Sequence, residues 1–241
     1  MSKILEEVKR RALESGRLYS WEDIKKLREV DENKQYAHFK AQFDKHKGEV
    51  SIGRSGILPL HRGCTIDNFI ADTHEKNHAK QFSRNYADNF EQNIGCGFIF
   101  SGNVGTGKNH LAAAICNELI EKGKSVLIIT VTELMQKLRN CYQIGSETSE
   151  DEFIKTMIDF DLLILDEIGL QRGTDAERLA LNQIVDQRIS RFKPTGMLTN
   201  LPAGSTDGSP SMNSVLGVRI MDRMRSNGGK WISFDWESFR K

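Results

Sequence analysis

The chain carries almost no surplus of charge: 34 Lys and Arg stand against 33 Asp and Glu, a formal net charge of +1. A whole-molecule field that draws nucleic acid is therefore excluded, and any basic site has to be local. No apolar run approaches the roughly 18 residues that a membrane-spanning helix needs. The N-terminus, MSKILEEVKRR, is charged throughout and lacks the apolar core of a secretory signal, so a cytoplasmic location without membrane contact is expected. Cysteine is sparse and scattered. Cys64, Cys96, Cys116 and Cys141 form no CxxC pair, which argues for reduced thiols. His61 precedes Cys64 by three residues, but two ligands do not make a tetrahedral site, and no metal is expected there. No internal repeat is visible.

The composition that remains, 38% hydrophobic and 28% charged, is that of a globular protein rather than a disordered one. With 241 residues the length fits one nucleotide-binding domain with an N-terminal appendage. The first ninety residues look helical and polar. Ser2 can cap a helix with Ile4, Leu5, Val8 and Ala12 on one side, and Ser20 with Asp23 resembles a capping box for a second helix with Ile24 and Leu27. Tyr36, Phe39 and Phe43 then recur at helical spacing as an aromatic ridge, either packed internally or presented to a partner. A helical domain over 1–50 is expected, followed by a linker over 51–73, where SIGRSGILPLHRGCTIDNF loses all periodicity and contains three glycines and Pro59.

The texture changes after Gly97. Short apolar strand runs appear at Gly97 to Ser101, Ser125 to Val131, Leu162 to Leu165, Met197 to Thr199 and Trp231 to Phe234, with helical stripes such as Leu111, Ile115, Leu119 and Ile120 between them. Strands alternating with helices imply an α/β domain over 74–241 with a parallel, doubly covered, five-stranded sheet. Residues 201–214, LPAGSTDGSPSMNS, break the pattern as a long loop.

Chemistry concentrates at the strand ends. Gly102, Asn103, Val104, Gly105, Thr106, Gly107 and Lys108 follow the first strand and open a helix, the context that a phosphate-binding loop requires. Glycines let backbone N–H groups turn toward the phosphates of ATP, the helix N-terminus adds its positive end, and Lys108 reaches the β and γ oxygens. Asn109 stands where Ser or Thr usually offers a hydroxyl to Mg2+, although an amide carbonyl is also a neutral oxygen donor. Leu162 to Leu165 runs straight into Asp166 and Glu167. The first can hold the magnesium shell, and the second can orient or deprotonate a water for in-line attack.

Three further features leave two readings each. Asn200 closes a strand, where it either touches the attacking water or γ-phosphate or only shapes the turn. Arg219 and Arg223 lie four apart on a helix face beside Leu216, Ile220 and Met224, either as a solvated face or as cations supplied across a subunit contact. Lys137, Arg139 and Tyr142 lie close on a helix and its exit, where cations and a ring suit single-stranded DNA, though such trios also occur on ordinary helices.

Taken together, SGNVGTGKNHLAAAICNELIEKGKSVLIITV, DLLILDEIG, PTGMLTN and GVRIMDRMR resemble the DnaC-type helicase loaders of the AAA+ ATPases, over about residues 52–241. Even Asn109 belongs to the GTGKNHLA pattern of that group, and RSGILPLHRGC resembles the segment joining its two domains. The resemblance implies a P-loop ATPase domain that delivers a hexameric, DnaB-type replicative helicase onto single-stranded DNA, and a small N-terminal domain that holds the helicase. It assigns Lys108 to the phosphates, Asp166 and Glu167 to magnesium and water, Asn200 to γ-phosphate sensing, and Arg219 with Arg223 to self-association as intersubunit arginines. It also strengthens the DNA reading of the helix ending near Tyr142. The first fifty residues resemble the family less, which leaves a phage or prophage variant open. The chain ends sixteen residues after Arg225, so no helical lid is expected and no further sensor arginine is assigned. Two alternatives stay beside the loader: an IstB-like helper ATPase of transposition, and a nucleotide-gated adaptor with negligible turnover, which Asn109 permits.

Overall fold

The computed structural model describes residues 55–93, 95–143, 148–169, 174–206 and 208–240. They all belong to one compact unit, Val50–Lys241. The helices expected over 1–50, with the aromatic ridge of Tyr36, Phe39 and Phe43, lie outside the described residues, as do the first four residues of the expected linker.

In chain order the elements are α1 His74–Asp88, β1 Phe98–Gly102, α2 Lys108–Glu121, β2 Val126–Thr130, α3 Val131–Asn140, α4 Glu150–Asp159, β3 Leu162–Ile168, α5 Asp175–Ser190, β4 Thr195–Thr199, α6 Met212–Leu216, α7 Val218–Arg225 and β5 Lys230–Phe234. The five strands pair in the order β2-β3-β4-β1-β5, and every pairing is parallel. Period-two alternation sends neighbouring side chains to opposite faces, and both faces are covered. On β1, Phe98 and Phe100 join the core beneath α1 and α2, while Ile99 joins the core beneath α3 to α7. On β3, Leu162 and Ile164 divide from Leu163 and Leu165 in the same way.

Local signals start the helices. A hydroxyl accepts from the third backbone N–H at the N-termini of α1 (Thr73), α3 (Thr130), α4 (Ser149), α5 (Thr174) and α6 (Ser211). Helix α2 has no such cap. Its N-cap is Gly107 at φ 90, which leaves the first-turn N–H groups without a side-chain acceptor.

Residues 55–69 lie along the domain. Ser55 O accepts from Ile128 N–H at 2.7 Å, Ile57, Cys64, Ile66 and Phe69 are buried in the core under α2, and Asn117 Nδ2 donates to three carbonyls, of His61, Arg62 and Cys64.

A buried cation ties the other face together. Arg188, fully buried on α5, donates to Met157 O, Ile158 O and Phe160 O at the C-terminal end of α4, and to Pro194 O and Thr195 Oγ1 at the start of β4. The planar guanidinium has five N–H donors, which matches this ring of acceptors, and the end of α4 is the negative pole of its helix dipole. Burial pushes the group down to about 10, so it stays charged at neutral pH.

Candidate functional site

The parallel topology brings the C-terminal ends of β1, β4 and β3 side by side, and ligands of open α/β sheets bind in the crevice outside such ends. Ser101 is in register with Thr199, and β3 adjoins β4, so the phosphate-loop sequence, Asn200 and the Asp166–Glu167 pair converge on one edge.

The loop is held from behind. Gly102, at φ 134, lies so close to the backbone of Phe234 on β5 that a Cβ would stand 2.4 Å from its carbonyl oxygen. Asn103 N–H donates to that oxygen at 3.0 Å. Thr106 Oγ1 donates to Asn103 O at 2.8 Å, Trp236 Nε1 to Thr106 O at 3.0 Å and Phe239 N–H to Gly105 O at 2.9 Å. The carbonyls of Asn103, Gly105 and Thr106 are thus occupied, whereas among the described residues no backbone acceptor takes the N–H groups of Val104 to Lys108. Unspent N–H groups at an uncapped helix start make an anion cradle.

Lys108, buried, lays its ammonium on Gly102 O at 2.9 Å and Asn103 O at 2.6 Å. Desolvation lowers its pKa, against the opposing pull of Asp166 and Asp235. Across the crevice Asp166 Oδ2 accepts from Asn109 Nδ2 at 2.8 Å, and Oδ1 accepts from the Glu167 N–H at 2.7 Å. Desolvation raises the Asp166 pKa, and these two bonds with the Lys108 charge hold it back. A half-buried carboxylate that spends lone pairs on neutral donors retains negative charge for a cation, and hard oxygen donors of this kind fit Mg2+. Asn109 offers its amide nitrogen to Asp166, which leaves its carbonyl oxygen as the remaining donor.

Between Leu165 and Ile168 the β3–β4 register slips by one residue, a bulge at the carboxylate pair. Glu167 there has φ 56 and is solvent-exposed. A left-handed glutamate is uncommon, and such strain concentrates at functional positions. Asn200, exposed, follows β4, whose last residue, Thr199, donates its hydroxyl to Ile168 O at 2.8 Å. The strand ends are therefore braced to one another.

Arg219 and Arg223 do share a face of α7, above buried Ile220, Met221 and Met224. Both meet Asp186 of α5: Arg219 Nη2 lies 2.5 Å from Oδ2, and Arg223 Nε 3.2 Å from Oδ1. Lys137 and Arg139 fare differently. Two positions apart, they are turned about 200° around the α3 axis, and each meets an acid, Glu133 at 3.4 Å and Glu177 at 3.4 Å. Tyr142, 62% exposed, lies beyond the helix end and bonds to Glu150. The trio does not form one basic stripe.

Sequence reasoning missed the Trp236 and Phe239 contacts to the loop, and Asp186. Trp236 follows the last strand by two residues, a usable signal, whereas Asp186 lies 33 positions from Arg219 and carries none. Among the described residues no group of three His, Cys, Asp or Glu is gathered as a metal cluster, and no helix is long and apolar enough to cross a membrane.

The sequence is similar to known proteins over most of its length. Residues 65–241 match the family of IstB-like ATP binding proteins. The replicative helicase loader DnaC of Escherichia coli K12 is 45% identical over 194 residues, covering 80% of this chain and 76% of that one. The loader of the same name from Buchnera aphidicola (Acyrthosiphon pisum strain APS) is 42% identical over 190 residues, 79% of this chain and 74% of its own. A crystal structure of the DnaC helicase loader superposes with a TM-score of 0.63 at 24% identity, over 73% of this chain and 99% of that one, which shows a shared fold.

Proposed function

The chain belongs to the DnaC-type helicase loaders, AAA+ proteins of the IstB-like ATP-binding family, and on that premise we propose that it is an ATP-driven loader that binds a hexameric replicative helicase and delivers it onto single-stranded DNA. The observation that carries this reading is the uncapped start of α2, with unspent N–H groups beside Lys108, facing Asp166 in a chain of that kinship.

In the proposed mechanism the N–H groups from Val104 to Lys108 cradle the phosphates of ATP. Lys108 exchanges its two carbonyl partners for β and γ oxygens. Asp166, oriented by Asn109 and the Glu167 N–H, would hold Mg2+ with the amide oxygen of Asn109 at hand. Bound Mg2+ would offset the charge that develops on the phosphates. Glu167, lifted from the ladder by the bulge, aligns and deprotonates the attacking water, and Asn200 contacts that water or the γ-phosphate. Arg219 and Arg223 act on the ATP of a neighbouring copy, so turnover is slow until subunits assemble. Contact with single-stranded DNA rests on exposed Tyr142, with Lys137 and Arg139 exchanging their acidic partners for phosphates.

The N-terminal 1–50 is proposed to grip the helicase. Capture of the E. coli replicative helicase hexamer by the immobilised chain, with ATP, ADP or no nucleotide, checks this. The full chain is expected to retain the hexamer and residues 51–241 to lose it; undisturbed capture by 51–241 would remove the helicase-binding role from the N-terminal segment.

A further inference from the structure

Asp186 is a carboxylate with two guanidiniums and no assigned role. It sits on α5 with 21% of its side chain exposed. Its Oδ2 accepts from Arg219 Nη2 at 2.5 Å. Arg223 Nε stands 3.2 Å from Oδ1, within ion-pair range but out of hydrogen-bond alignment, so buried Oδ1 has no hydrogen-bond partner. The backbone that carries the arginines is fixed, because Ile220, Met221 and Met224 on the inner face of α7 are buried in the core. Arg219 is nevertheless 70% exposed and Arg223 45%. The result is two guanidiniums held by one carboxylate and presented at the surface on a rigid base.

We propose that Asp186 is the positioning residue for this arginine pair, holding both guanidiniums aimed outward for a nucleotide bound by a neighbouring copy. The role rests on the reading of Arg219 and Arg223 as intersubunit arginines.

An exposed arginine is a long, flexible side chain, and ordering it at the moment of reaction costs entropy; an acid that already orders it lowers that cost. A single arginine on a mostly buried acid could not turn to a phosphate without stranding the carboxylate, a heavy desolvation penalty. Two arginines on one acid avoid this, since whichever turns to the phosphate leaves the other with Asp186. The unspent lone pair of Oδ1 has room for that exchange.

The test separates the two sides of the subunit contact. Lys108→Ala chains keep the arginines but cannot use ATP, and Arg219→Ala/Arg223→Ala chains keep the ATP site but cannot donate. The two are mixed full-length on the E. coli helicase hexamer with a dT oligonucleotide, and ATP turnover is measured. Adding Asp186→Asn to the arginine-donating chain is expected to lower kcat about tenfold at unchanged KM for ATP, whereas adding it to the accepting chain leaves turnover intact. Asp186→Glu on the donor, which keeps the charge, is expected to recover most of the rate. Full turnover with the Asp186→Asn donor, no recovery with Asp186→Glu, or equal loss on both sides would overturn the positioning role. A parental mixture with Asp186 intact that shows no more turnover than either chain alone would instead overturn the intersubunit reading, and the positioning role with it.

Discussion

Glu167→Gln is expected to slow single-turnover phosphate release by about 10²- to 10⁴-fold while leaving ATP affinity nearly unchanged. Glutamine keeps the size and the left-handed backbone of the residue, so the bulge at the end of β3 and the Glu167 N–H bond to Asp166 survive. What disappears is the basic carboxylate that aligns the water. Affinity rests on other groups, namely the N–H groups of the loop, Lys108 and Asp166, none of which needs the Glu167 side chain. Rapid-quench measurement of phosphate release on assembled protein, beside equilibrium binding of a fluorescent ATP analogue, checks both halves. Equal release rates in Glu167→Gln and wild type would instead favour the adaptor, a switch that binds nucleotide with negligible turnover.

The largest stability effect is expected far from the crevice. Arg188→Met should cost about 3–5 kcal/mol, because methionine fills the volume but leaves the carbonyls of Met157, Ile158, Phe160 and Pro194 buried without their donor. For a unit of this size the melting temperature should fall on the order of 10 °C. Arg191→Ala, three residues on, removes a half-exposed arginine whose partner Asp159 is 3.8 Å away, and should change stability by less than about 0.5 kcal/mol. Thermal and urea melts of the two variants side by side measure the contrast. Similar losses in both would mean that the buried guanidinium does not tie α4 to β4.

Much of this was legible in the sequence because the signals are local. An apolar run that ends in glycines and a lysine, or in two carboxylates, declares both a buried parallel strand and what stands at its end, and the five runs became β1 to β5. Other features are made only by contacts distant in the chain. The bulge that lifts Glu167 arises from how β3 meets β4, not from any residue within LLILDEI. Asp186 meets Arg219 across 33 positions, and Arg188 looks like one more surface cation in VDQRIS until α4 closes over it. The trio Lys137, Arg139 and Tyr142 shows the converse, neighbours in sequence that do not share one face. Nearness in sequence suggested one patch, yet spacing of two on a helix turns side chains apart, and α3 ends at Asn140 before the tyrosine. Asn109 is the subtlest case: the sequence shows only an amide in place of the usual hydroxyl, and the fold shows that amide bonded to Asp166.

Delivery of a helicase onto a strand with no free end tests the central claim most directly. A fluorescent E. coli helicase hexamer is mixed with circular single-stranded DNA and this chain, and helicase that travels with the circle in gel filtration is counted. With ATP and wild-type chain the hexamer should move into the DNA fraction, and with Lys108→Ala it should remain behind. Helicase that reaches the circle equally well without this chain, or that never reaches it with wild-type chain and ATP present, would contradict the account.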